Sequence, residues 1–135
     1  MQSHKLSLFG QKVAVLLDSP DWSDQYLYMR FLKKKEDNTW EKPSAKEGKV
    51  IKINLLEAIA IRDLCNSNGG KWSTVHVFGE EKTSISMEKE NQNLKFNIPG
   101  YSKFIQYPES VLFTELMIHL VSEKIQNSTG GSQTP

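Results

Sequence analysis

Cysteine is nearly absent from this chain: among its 135 residues only Cys65 is one. That excludes an internal disulfide and a thiolate metal cluster. Cys65 falls in an apolar helical pattern and reads as a buried, inert thiol rather than a nucleophile. No apolar run is long enough to span a bilayer. The opening Met1-Gln2-Ser3-His4-Lys5 leads straight into a strand pattern, without the apolar core of a signal peptide. The expected setting is a reducing intracellular compartment: cytoplasm, nucleoid or organelle. Catalytic signatures are missing too. There is no P-loop, no dinucleotide glycine motif and no nucleophile elbow. His4, His76 and His119 are scattered, with no pair at metal-ligand spacing. The sequence therefore points to no catalytic residue, no metal and no cofactor, and to a binding protein rather than an enzyme.

Nor does one sign of charge dominate. The formal net charge is +1, so any grip on phosphate has to come from uneven placement of charge. The placement is uneven. Residues 1–54 carry ten Lys/Arg and seven Asp/Glu, whereas residues 55–135 carry seven and nine. Residues 30–52 alone hold eight basic and four acidic side chains, which read either as a solvated face or as a phosphate-binding stretch. The apolar share is 38% and the charged share 24%, the composition of a soluble domain with a hydrophobic core.

Period-two patterning dominates the chain. Strands are expected over residues 5–9, 12–18 and 25–34, with a short fourth over 49–53. In the third, Leu27, Met29 and Phe31 lie on one side and Tyr26, Tyr28 and Arg30 on the other. Asn54, with Glu57 three residues on, has the form of a capping box and opens a helix over 55–66. Asn68-Gly69-Gly70 ends that helix. The order then repeats. Strands are expected over 72–78, 82–89, 94–98 and 103–106, and a second helix over 109–126, with Pro108 in its first turn. In the 72–78 strand, Val75 and Val77 are assigned to the core and Trp72, Thr74, His76 and Phe78 to the other face. The second helix is apolar on most sides, which favours oligomerisation through the helices. Residues 1–126 thus form one α+β domain of two β-β-β-β-α halves, and residues 127–135 a flexible tail.

Residues 10–15, 40–42 with 49–53, and 94–98 with 103–106 before the last helix resemble the Whirly family of single-stranded DNA-binding proteins and the related kinetoplastid mitochondrial RNA-binding proteins. Whirly proteins carry Lys-Gly-Lys-Ala-Ala-Leu on the second strand. This chain reads Gly10-Gln11-Lys12-Val13-Ala14-Val15, matching at Lys12 and Ala14. Trp40-Glu41-Lys42 followed by Lys49–Ile53 is similar to the segment before the family's first helix. Leu94–Ile98 and Lys103–Gln106 before an apolar helix are similar to its C-terminal end. The resemblance implies two antiparallel sheets packed crosswise, helices at the centre of a homotetramer, and single strands lying along the sheet surfaces and between protomers.

A sequence-tolerant single-strand binder needs cations along the backbone path and flat side chains for unpaired bases. Tyr26, Tyr28 and Arg30 fit that description, or else cap the edge of the core. Trp72, His76 and Phe78 form a stacking platform or lie under a helix. Trp40 either tethers a Lys-rich loop or stacks on bases. Lys12, Lys33, Lys49 and Lys95 are candidate phosphate contacts. The function expected is largely sequence-independent binding of single-stranded DNA or RNA by an oligomer, in DNA maintenance, recombination or transcription. The competing readings are a protein–protein adaptor with the same fold and a small-ligand or catalytic domain with a deep pocket.

Overall fold

The structure, a computed structural model, describes residues 3–130. Four strands come first: β1 (His4–Phe9), β2 (Val13–Ser19), β3 (Leu27–Lys33) and β4 (Lys49–Ile53). They pair in sequence order as an antiparallel sheet. Helix α1 (Leu55–Cys65) follows, and its capping box is complete: Glu57 N donates to Asn54 Oδ1 and Asn54 N donates to Glu57 Oε1. The second half contains β5 (Gly69–Phe78), β6 (Glu81–Glu90), β7 (Asn93–Ile98) and β8 (Tyr101–Ile105), again antiparallel and in order. Helix α2 (Glu109–Thr129) closes the chain. The α+β architecture of two four-strand-plus-helix halves is as the patterning implies.

Alternation decides which side chains build the core. Leu27, Met29 and Phe31 of β3 are buried, as are Ile85 and Met87 of β6 and Leu94, Phe96 and Ile98 of β7. Phe31 meets Phe96 edge-on at 6.1 Å between ring centroids, and Phe96 meets Phe113 of α2 at 5.6 Å. One aromatic seam thus joins the first sheet, the second sheet and the long helix. The helices also pack on each other, and α1 lies against β5 and β6.

Two expectations need correction. Gly69 and Gly70 do not lie in a turn after α1. They open β5, at φ of 149° and 147°. The helix ends instead at Asn66, and the Lys89 ammonium donates to the Cys65 and Ser67 carbonyls there. At the other end, α2 runs past residue 126 to Thr129, so Asn127, Ser128 and Thr129 are helical. Asn127 Nδ2 donates to the Ser23 carbonyl and Lys124 Nζ to those of Asp21 and Asp24. These bonds hold the β2–β3 loop against the helix and explain its extra turn. The rest of the expected tail, residues 131–135, lies outside the described residues.

Cys65 is buried, and its thiol is pushed up to about 12 by that burial. At pH 8 the folded protein therefore holds far less thiolate than an unfolded chain does. Iodoacetamide is expected to leave Cys65 unmodified at pH 8 in buffer and to alkylate it in urea, as intact mass would report. The core itself is tested by Phe96→Ala, expected to cost ~3–5 kcal/mol in urea unfolding.

Candidate nucleic-acid interface

Because the first sheet buries one face, register fixes what the other presents. Three rows cross its outer side. Phe9, Ala14 and Leu32 form one. Ser7, Leu16, Arg30 and Val50 form the next, and Lys5, Asp18, Tyr28 and Lys52 the third. The loop between β3 and β4 folds back over the first row. Trp40 packs edge-on against Phe9 at 5.2 Å, and Gly48 lies so close that a Cβ there would come within 2.7 Å of Leu32 Cδ2. With its φ of 89°, Gly48 occupies a position that only glycine suits. Rows two and three stay open.

The open face offers what its rows predict. Tyr28 is half-buried, with its hydroxyl 3.5 Å from Asp24 Oδ2; burial, together with that carboxylate, raises its phenol pKa. The Lys52 ammonium sits 4.0 Å from the centre of the Tyr26 ring, a cation–π pair at the sheet margin. Tyr26 and Lys52 also line a cleft of about 610 Å³ between the two sheets. On one side this cleft is bounded by β4, the outermost strand of the first sheet, and on the other by β5, the outermost strand of the second. Lys49 Nζ reaches Glu81 Oε1 across it at 3.6 Å. His76 Nε2 meets Glu57 Oε2 at 2.7 Å, so the same carboxylate caps α1 and positions the imidazole.

Strand β5 overturns the expected face assignment. Val75 and Val77 are the exposed pair, at 53% and 62%, and they line the cleft margin. Trp72, Thr74 and His76 point inward, and Trp72 packs on the core. The physical reason is register. Trp72 pairs with buried Met87 and Thr74 with buried Ile85, so these share the inner face. Both faces of this strand carry apolar groups, and polarity alone could not choose between them. Trp72 is thus a packing residue rather than part of an exposed platform, and His76 is tied to α1. The expectation for the Phe78 side chain lies outside the described residues.

The remaining candidates fall into separate places. Lys12, Lys33 and Trp40 meet at the far end of the first sheet. There the Lys34 N–H donates to the Lys12 carbonyl, Lys33 Nζ stands 5.0 Å over the Tyr101 ring and Lys34 Nζ 5.4 Å over the Trp40 ring. Tyr101 donates its hydroxyl to Glu41, and burial followed by that bond pushes its pKa up to about 12. Trp40, half-buried against Phe9, is a tether for its loop. Lys95 lies on the outer side of the second sheet, in a row with Lys71, Glu88 and half-exposed Phe104, away from the cleft. Lys5, Lys52, Val75 and Val77, which the sequence reading does not single out, join the open face or the cleft margin. Lys52 was detectable, since outward alternation along β4 puts it beside Tyr28; the valines were not.

The sequence matches no family model and no curated protein. Solved structures do match. The chain superposes on "WHY3 from Arabidopsis thaliana" with a TM-score of 0.63 at 12% identity, covering 93% of this chain and 90% of that one. It superposes on "the plant transcriptional regulator PBF-2" with a TM-score of 0.62 at 8% identity, covering 98% and 96%. The chain has a Whirly-like fold. At these identities the Whirly likeness is one of backbone architecture, so the surface chemistry has to be argued from this chain's own residues.

Trp72→Ala is expected to destabilise the protein by about 2 kcal/mol or more, because its ring packs on the core. Tyr28→Ala, on the open face, should cost no more than about 1 kcal/mol. Paired urea melts check both.

Proposed function

We propose that this chain binds single-stranded nucleic acid with little sequence preference. The observation that carries the reading is a continuous strip rather than any one residue. It runs from Arg30 and Tyr28 on the outer face of the first sheet, over Lys52 and Tyr26, into the cleft edged by Val75 and Val77. Tyr28 and Tyr26 offer surfaces for unstacked bases, Arg30 and Lys52 meet phosphates, and the valines give sugars and base edges an apolar wall. Lys49 and Lys5 flank the path. Glu57 and Glu81 lie in the cleft as well, each engaged by a basic partner, His76 and Lys49 respectively. The Whirly-like fold supports the same use of a sheet surface, and a relative of that architecture is a transcriptional regulator by title.

The protein acts in this reading as a non-enzymatic binder, in transcription, recombination or DNA maintenance. DNA and RNA both fit the strip. Self-association through the helices is part of the proposal: Leu56 of α1 is 78% exposed, and Val111, Leu112 and Ile125 of α2 are exposed as well. Large apolar groups in such number on two adjacent helices favour a covering copy, with a tetramer as the expected state.

Fluorescence anisotropy with labelled oligothymidine and oligouridine, each at two salt concentrations, tests the binding. Affinity should fall as salt rises. Tyr28→Ala and Tyr26→Ala should each weaken binding by ~1–3 kcal/mol. Lys52→Ala should flatten the dependence of log affinity on log salt by ~0.7. Salt-insensitive capture of a polypeptide with no oligonucleotide binding would instead identify the exposed valines as a protein-docking edge. Light scattering reports the oligomer, and Leu112→Glu is expected to reduce its mass.

A further inference from the structure

We propose that His4, His119 and Glu123 form a binding site for a divalent transition-metal ion of the zinc class, a role outside the nucleic-acid reading. His4 begins β1, whereas His119 and Glu123 stand one turn apart on α2. Folding brings opposite ends of the chain together here, which residue spacing alone could not reveal. His119 Nε2 lies 3.1 Å from Glu123 Oε2, and His4 Nε2 lies 3.5 Å from the same oxygen. The two imidazoles meet edge-on at 4.9 Å between centroids, and one ligand atom from each of the three residues lies within 4.8 Å of the others.

Those distances match the chemistry. Zinc bonds of about 2.0–2.2 Å in tetrahedral arrangement set neighbouring ligand atoms about 3.3 Å apart. Two of the three edges already bracket that spacing, and the third is no longer than 4.8 Å. Two imidazoles with one carboxylate form a donor set that zinc accepts, with a fourth position left for water. His119 is exposed, so an ion has a path from solvent.

A second observation points to the same place. Four buried side-chain polar atoms make no hydrogen bond among the described residues: His4 Nε2, Glu123 Oε1, Ser19 Oγ and Asp21 Oδ1. All belong to this corner. Ser19 is the register partner of His4, and the Asp21 carbonyl accepts from Lys124, the residue after Glu123. Buried polar groups lacking partners call for an ion or another ligand. Lys124, a cation beside them, is engaged with the Asp21 and Asp24 carbonyls. A metal ion can hold a carboxylate and two neutral imidazoles together through one centre. Bound there, the ion pins β1, the edge strand opposite β4, to α2.

Calorimetric titration of the chelator-treated full chain with zinc chloride tests the site, alongside thermal melts in zinc and in magnesium. The expected results are one zinc per chain and a melting temperature raised by zinc but not by magnesium. His119→Ala and Glu123→Gln should weaken zinc binding by at least ~10-fold, since even the loss of an outer partner costs that much. Circular dichroism without metal confirms that each variant folds. Cobalt added to the unmutated chain supplies an independent reading, because a tetrahedral nitrogen–oxygen site gives visible absorption bands that zinc then bleaches. No heat and no cobalt spectrum would overturn the proposal. Zinc binding of full strength in both variants would overturn it too, by placing the ion elsewhere.

Discussion

Phe31, Phe96 and Phe113 touch edge-on in a line that passes from the first sheet through the second into α2. The inward faces of the elements it joins are fixed along that line. Each ring fixes the inward side of its element, and a strand that turns one face in must turn the other out. The inward set on β3 makes Tyr28 and Arg30 outward residues, and antiparallel register carries the same choice to Lys52 and Val50 on β4. The candidate interface is therefore a by-product of the core. Sliding β3 by one position would bury Tyr28 and Arg30 and expose Phe31.

Much of the fold was legible because most strands carry polar groups on one side only. β3, β6 and β7 alternate cleanly, and their inward residues could be named from the sequence alone. The Asn54–Glu57 capping box likewise announces α1, since the two side chains answer each other's backbone N–H groups. β5 defeats this logic. Trp72, Thr74 and His76 interleave with Val75 and Val77, and branched aliphatic residues ordinarily favour the interior. Here long-range pairing with Ile85 and Met87 decides, together with the Glu57 carboxylate waiting for His76. The end of α2 was misread for a similar reason. Its last turn is held by loop carbonyls about a hundred positions away in the chain, to which no local pattern refers.

The candidate interface was half legible. Tyr26, Tyr28, Arg30 and Lys49 lie where alternation and charge put them, around one strip. Lys12, Lys33 and Trp40 gather at a second basic–aromatic cluster, where the rings serve mainly to hold the β3–β4 loop. The histidines show the limit most clearly. Their separation along the chain gave no reason to connect them, yet His4 and His119 share one carboxylate.

Strand β4 has a further consequence through its position at the rim of its sheet. An unpaired rim displays free backbone donors and acceptors, and such rims seed stacking between copies of a protein. Here Lys49 and Lys52 stand on opposite faces of that strand, and lysines on an edge strand disfavour such stacking from either side. The charges that flank the cleft thus also guard the chain against ordered aggregation, and neutralising them would cost solubility.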